Sequence, residues 1–292
     1  MSVICIGEVL WDLFANDRHV GGTSLNVAAH ARRAGDDVYL VSAVGDDPLG
    51  REMLTRIAEL GLNTRCITTV PGVPTGTVDV TLTDGQPDYV INRPAAYDQP
   101  SLSATQLQAL ADSRPSYIYF STLAQSSARV RETTRRLLQV CPAAMRCYDV
   151  NLRKDNDDMD LVAELLADAT VVKLNDGELR DIAQALDLPA TDVAAFCAAL
   201  AGRYGLHSVC VTLGADGCAL WRDGEIATVP GRPVVVADAV GAGDAFCAIL
   251  MRGLVAADRP LVQIADRANR LGAYVASHRG AVPAWPLDLI AE

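Results

Sequence analysis

The residues with the clearest capacity for chemistry lie in the run Asp238-Ala239-Val240-Gly241-Ala242-Gly243-Asp244. Gly241 and Gly243 allow a tight turn, and the absence of bulky side chains lets a ligand approach the main chain. Before it, Val234-Val235-Val236 is a β-branched triplet that predicts the end of a buried strand. After it, Phe246, Ile249, Leu250, Gly253 and Leu254 fall at helical spacing on one apolar face. A strand, a small-residue turn and a helix start leave successive N–H groups unpaired at the positive end of a helix, which makes an anion site. Asp244 at its rim would repel a phosphate. It makes sense there if it takes a proton from a hydroxyl that attacks phosphorus. The same position suits a helix cap, and the loop alone does not choose.

Other polar groups gather where strands are expected to end. Asn175-Asp176-Gly177-Glu178 follows the apolar run Val171–Leu174, with Asn175 and Glu178 three apart at a helix start. Hard oxygen ligands at that spacing suit Mg²⁺ through its water shell, and they equally suit a capping box. Asp149-Val150-Asn151-Leu152-Arg153 sets an acid, an amide and a guanidinium in a row after another strand. Thr212-Leu213-Gly214-Ala215-Asp216-Gly217 is a glycine turn fit for phosphates or ribose, or for a plain hairpin. Near the start, a strand over Val3–Leu10 delivers Glu8 and Asp12, and Gly21-Gly22 breaks into a helix whose first turn carries Asn26.

These groups need a scaffold, and the rhythm of the chain supplies one. Strands are predicted at Val38–Val44, Tyr117–Ser121, Arg146–Val150, Val171–Leu174, Ser208–Leu213 and Cys218–Trp221. Helices fall at about 103–112, 127–140, 157–168, 176–186, 190–204, 244–257 and 260–278. Such alternation implies a mainly parallel sheet with right-handed crossovers, and ligands at the C-terminal ends of its strands. Between Thr64 and Asn92 the pattern changes to period-two alternation, as in Thr77–Thr83 and Tyr89–Ile91 around Asp84-Gly85. That predicts an antiparallel, half-exposed hairpin inserted as a lid. The expected organisation is a single α/β domain over residues 1–292, with a lid from about 12–22 and 64–98.

Composition narrows the partners. With 25 basic against 36 acidic residues the net charge is −11, which argues against nucleic acid or an anionic membrane as main partner. No apolar run reaches the roughly 18 residues of a membrane span. The opening Met1–Gly7 lacks a basic signal region and reads as a core strand. The eight cysteines include no Cys-x-x-Cys pair, and several sit in apolar runs, which suggests reduced thiols in a cytoplasmic protein. Only two lysines occur, Lys154 and Lys173, and neither follows a glycine, so a Walker P-loop is excluded.

Taken together, Gly21-Gly22-x-x-x-Asn26, Asn175-x-x-Glu178 and Asp238-x-x-Gly241-Ala242-Gly243-Asp244 resemble the signatures of the ribokinase-like (PfkB) carbohydrate kinases, in order and over nearly the whole chain. The resemblance implies a three-layer α/β/α fold with a β lid, ATP and Mg²⁺ as cofactors, and phosphoryl transfer to a sugar hydroxyl. It implies Asp244 as base, with Gly241, Ala242 and Gly243 as the anion hole. Asp12, Gly22, Asn26, Arg93, Asn151 and Arg153 would bind the substrate, with Arg153 near the phosphates. Asn175, Thr212, Gly214, Gly217 and Asn269 would line the nucleotide site, and Glu178 with Asn175 would organise Mg²⁺. Asp238 resembles the family's monovalent-cation (K⁺) residue, although Ala239 and Ala284 depart from the usual pattern. Gly7-Glu8-Val9-Leu10-Trp11-Asp12-Leu13-Phe14 and Asp149-x-Asn151-x-Arg153 are similar to the fructokinase branch, which implies D-fructose. Kinases for 2-keto-3-deoxygluconate, ribose or nucleosides share the core, and a sensor that kept the fold is the reading from another class. Exposed lid strands would also suit a homodimer.

Overall fold

A computed structural model describes residues 1–15, 17–83, 86–153 and 158–291, so the expected Asp84-Gly85 turn lies outside the described residues. Along the chain the first strands are β1 (Ser2–Ile6), β2 (Leu10–Leu13), β3 (Arg18–Gly21), β4 (Asp37–Gly45), β5 (Ile67–Val70), β6 (Gly76–Thr83) and β7 (Gln86–Ile91). They are followed by β8 (Tyr117–Ser121), β9 (Met145–Asp149), β10 (Val171–Asn175), β11 (Ser208–Thr212), β12 (Gly217–Arg222) and β13 (Glu225–Pro230). The helices are α1 (Thr23–Arg33), α2 (Pro48–Glu59), α3 (Ala104–Asp112), α4 (Thr122–Gln125) and α5 (Ala128–Val140). After them come α6 (Met159–Asp168), α7 (Asp176–Ala185), α8 (Val193–Tyr204), α9 (Ala242–Ala256) and α10 (Leu261–Ala276).

Nine strands form one sheet in the order β13-β12-β11-β10-β9-β8-β1-β4-β5. From β5 to β11 the neighbours run parallel, and β12 and β13 add an antiparallel edge. Strands buried on both faces must be apolar at every position, and β1 shows why three layers result. Val3 and Cys5 join a core with α1, α2, α9 and α10, while Ile4 and Ile6 join a second core with α3 and α5 to α8. A four-stranded sheet, β3-β2-β6-β7, stands apart from the large one, with β6 and β7 paired antiparallel as the alternation predicts. Among the described residues no helix is long and apolar enough to cross a membrane.

Four local readings of the sequence need correction. The strand expected over Val3–Leu10 divides at Gly7, where a Cβ would lie 2.2 Å from Ser24 Oγ; the chain squeezes past α1 and changes sheet. Ile67–Val70 pairs with β4 at the edge of the large sheet, so this part of 64–98 lies outside the small one. Val234–Val236 forms no strand, and Val235 is 89% exposed. The β-branched triplet does mark a non-helical segment, but Pro230 and Pro233 remove ladder donors around it and no neighbouring strand is there to pair. The helix after Asp244 lacks a solvent face over its first turns. Ala245 to Met251 are all buried, because α9 lies between α1 and α10.

The C-terminal segment backs the glycine turn. Trp285 is fully buried and its Nε1–H donates to His30 Nδ1 at 3.0 Å, which puts the imidazole proton on Nε2, 3.0 Å from the Ala281 carbonyl oxygen. Burial pushes the His30 pKa down to about 4, so the ring is neutral and the pattern is fixed. Ala281 presses on Gly241, where φ is +78° and a Cβ would come within 2.6 Å of Ala281 Cα. Trp285→Phe removes the indole donor and leaves a buried ring nitrogen unsatisfied, at a cost of about 1–3 kcal/mol. The thermal unfolding midpoint should fall by about 2–8 °C; an unchanged midpoint would show that the bond contributes nothing.

Candidate active site

Two cavities meet at the Asp238–Asp244 turn. The first, about 320 Å³, lies between the small sheet and the C-terminal ends of the large sheet's strands. The second, a cleft of about 570 Å³, runs between the Thr212–Gly217 turn, the 231–236 segment and α10. Ala239 and Gly243 line both, so the turn is the wall through which they communicate.

Asp244 is buried in the first turn of α9, with one oxygen accepting 2.8 Å from Asn26 Nδ2 on α1. Burial, with the nearby Asp149 charge, raises its pKa to about 7 against the Asn26 bond and the cations Lys173 and Arg153. Such a group gains a proton acceptor's character near neutral pH. Asp12 projects from β2 into the same cavity. Burial lifts its pKa to about 6, opposed by Arg153 and His19 and reinforced by Asp238.

The structure brings most of the expected residues together. Asp12, Gly22, Asn26, Asn151, Arg153, Gly241, Gly243 and Asp244 line the first cavity. Asn175, Thr212, Gly214, Gly217, Ala242, Gly243 and Asn269 line the second. Asn269 also donates from Nδ2 to the Pro230 carbonyl, which ties α10 to the end of β13. Three expected residues line neither cavity. Arg93 donates to the Leu123 carbonyl at 3.0 Å, stacks 5.8 Å from the Tyr97 ring centroid and pairs with Asp98 at 3.5 Å. Asp238 accepts backbone N–H groups from Val240 and Gly280, at 3.0 and 3.1 Å, and so joins the turn to the chain after α10.

Glu178 is the third. Together with Asn175 it completes a full capping box at α7: Glu178 N–H donates to Asn175 Oδ1 at 2.9 Å, and Asn175 N–H donates to Glu178 Oε2 at 2.8 Å. Its other oxygen accepts from Leu152 N–H at 2.8 Å, and burial raises the carboxyl pKa. Each oxygen thus keeps a lone pair. A buried carboxylate so placed fits Mg²⁺ reached through water better than direct ligation.

Lys173 has no site role in the sequence reading, and Asp149 and Glu8 have none beyond their places at strand ends. Lys173, on β10, pairs with fully buried Asp149 on β9 and lines the first cavity. A lysine inside the apolar run Val171–Leu174 is itself the signal that could have found it. Glu8, also buried, accepts both N–H and O–H of Thr23 at 3.0 and 2.6 Å and anchors the start of α1.

Fructokinase from Klebsiella pneumoniae is 30% identical to the chain, over 91% of this chain and 88% of that protein. Among solved structures, Xylella fastidiosa fructokinase with bound ATP superimposes with a TM-score of 0.85 at 24% identity, covering 99% of this chain and 96% of that one. The 2-dehydro-3-deoxygluconokinase of Thermotoga maritima gives 0.86 at 18% identity, over 99% and 98% of the two chains. Both show the same fold. The model of the pfkB family of carbohydrate kinases matches residues 3–287, all of the strands and helices above but the first residue of β1, and the chain belongs to that family.

Proposed function

We propose that the protein transfers the γ-phosphoryl group of ATP to a primary hydroxyl of a free sugar, with D-fructose as the substrate and fructose 6-phosphate as the product. The observation that carries this is Asp244: a buried carboxylate titrating near neutrality, on the sugar-side cavity, in a turn shared with the neighbouring cleft. The cleft takes ATP, with the polyphosphate directed at the N-terminus of α9. Asp12 and Asn26 receive neighbouring hydroxyls, because desolvated polar groups require partners. Asp244 accepts the proton of the attacking hydroxyl, while the N–H groups around Gly241–Gly243 stabilise charge on the group in transit. Glu178 holds, through water, the Mg²⁺ that travels with ATP and neutralises phosphate charge when bound. The small sheet serves as a lid that keeps water from the phosphoryl group. The choice of fructose is supported by the identity to the Klebsiella enzyme and by the Trp11–Phe14 and Asp149–Arg153 segments.

Replacing Asp244 with Asn keeps the shape and removes the proton acceptor. The expected result is a fall of about 10²–10⁴ in kcat with ATP affinity little changed. In the unmodified protein kcat/KM should decline as pH falls through about 7, because the protonated carboxyl cannot accept a proton. A variant with near-normal kcat would return Asp244 to the role of helix cap.

Glu178→Gln should raise the Mg²⁺ concentration needed for half activity by a moderate factor, as expected for contact through water. An unchanged Mg²⁺ titration removes Glu178 from the metal's surroundings.

Substrate choice is read by coupled ADP release over a panel of sugars. Fructose should exceed ribose and adenosine clearly in kcat/KM, since hydrogen-bonding sites discriminate strongly between hydroxyl patterns. A tenfold preference for 2-keto-3-deoxygluconate or ribose would overturn fructose and leave the kinase intact. ATP binding with no sugar phosphorylated would favour the sensor.

A further inference from the structure

A buried cation faces the shared turn from below. The Lys173 side chain is 8% exposed, and its ammonium donates to both oxygens of Asp149, at 3.0 and 3.3 Å. An ammonium carries three N–H donors, so one remains beyond this bidentate pair. The direction in which it is open is set by Gly243. A Cβ at that position would lie 3.1 Å from Lys173 Nζ, and Gly243, like Ala239, lines both cavities. Lys173 itself lines the sugar-side cavity. The charge therefore stands at the passage between the two cavities, with no side chain covering it from the turn.

Folding alone gives little reason for this pair. Val171, Val172 and Leu174 around it are buried and apolar. Replacing a buried ion pair by apolar residues of similar size is often neutral or stabilising. A fixed cation under an anion-binding turn has a use when a phosphoryl group crosses it.

We propose that Lys173 is a catalytic residue whose ammonium donates a hydrogen bond to a non-bridging oxygen of the phosphoryl group in transit; this rests on the kinase reading above. In that step the bond from the γ-phosphorus to the β,γ-bridging oxygen breaks, and its electron pair leaves with ADP. The sugar oxygen bonds to phosphorus, and the hydroxyl proton passes to Asp244. Lys173 keeps its proton throughout and contributes charge alone. Burial by itself would lower the lysine pKa, but Asp149 and Glu178 more than reverse this and hold it above the usual lysine value.

Lys173→Met alone leaves Asp149 buried without its cation, and such variants can fail to fold. The informative protein is the neutral pair Asp149→Asn with Lys173→Met, whose thermal midpoint should stay within about 5 °C of the parent. Its kcat on fructose should fall about 10²-fold, the usual loss for one donor to a developing oxyanion. Its fructose KM should change by less than about threefold, since the contact is to phosphate. Equilibrium binding should show affinity lost for ATP and retained for ADP. A pair variant with kcat within about threefold of the parent, and an unchanged preference between ATP and ADP, overturns the assignment. A collapsed midpoint with ATP and ADP binding lost together also overturns it, in favour of a structural pair. If the parent phosphorylates no sugar but the variant still loses ATP selectively, the phosphate contact stands and the kinase reading fails.

Discussion

A carboxylate can be drawn away from water only where other donors replace its lost hydration. Asp244 lives under that constraint, and much of the fold answers it. Asn26 supplies a hydrogen bond from α1, and the N-terminus of α9 supplies a favourable dipole. The hydrogen bond requires α1 and α9 to lie side by side, which the all-round burial of Ala245–Met251 allows. One helical turn beyond Asn26, His30 holds the Ala281 carbonyl, and Ala281 sits against Gly241. A single helix thus grips the carboxylate with one residue and the far wall of its turn with another. Gly241 has to be glycine on two counts, its left-handed φ and the lack of room for a Cβ.

The reactivity of Asp244 then depends on charges that come from elsewhere in the fold. Asp149 raises its pKa, and Lys173 and Arg153 lower it. The same Asp149 raises Glu178, and the same Lys173 lowers it. The Asp149 carboxylate on β9, the Lys173 ammonium on β10 and the Arg153 guanidinium therefore bear on the proton affinity of a buried group on α9. A carboxyl poised near neutrality is a property of the sheet as much as of the glycine turn.

This division explains what could be read from the chain alone. Parallel strands with both faces buried announce themselves as apolar runs, and the turn at 238–244 combines residue types with few other uses. The antiparallel β6–β7 pair was likewise legible from alternation. Local pattern cannot report a close approach between distant segments. Gly7 ends a strand because Ser24 is in the way, and nothing in Val3–Leu10 says so. Val234–Val236 has strand-like residues but no strand beside it to pair with, and pairing is a tertiary fact. Lys173 is not legible from its own run because a strand pattern tolerates one polar residue, whereas its meaning comes from Asp149 on the next strand.

The Asn175–Glu178 pair shows that a capping role and a functional role need not compete. One Glu178 oxygen completes the capping box at α7, and the other binds Leu152 N–H. That second bond fixes the chain just after β9, where Asn151 lies in the left-handed region at φ +39°. Asn is among the few residues that enter this region at low cost, yet a single such residue in an irregular segment still needs its neighbours held. Glu178 holds them. Asn151 and Arg153, on either side of Leu152, both line the first cavity. The cap that starts a helix on one strand is therefore also what aims two polar side chains from the next, and removing its carboxylate would disturb the cavity without any residue of the cavity being changed.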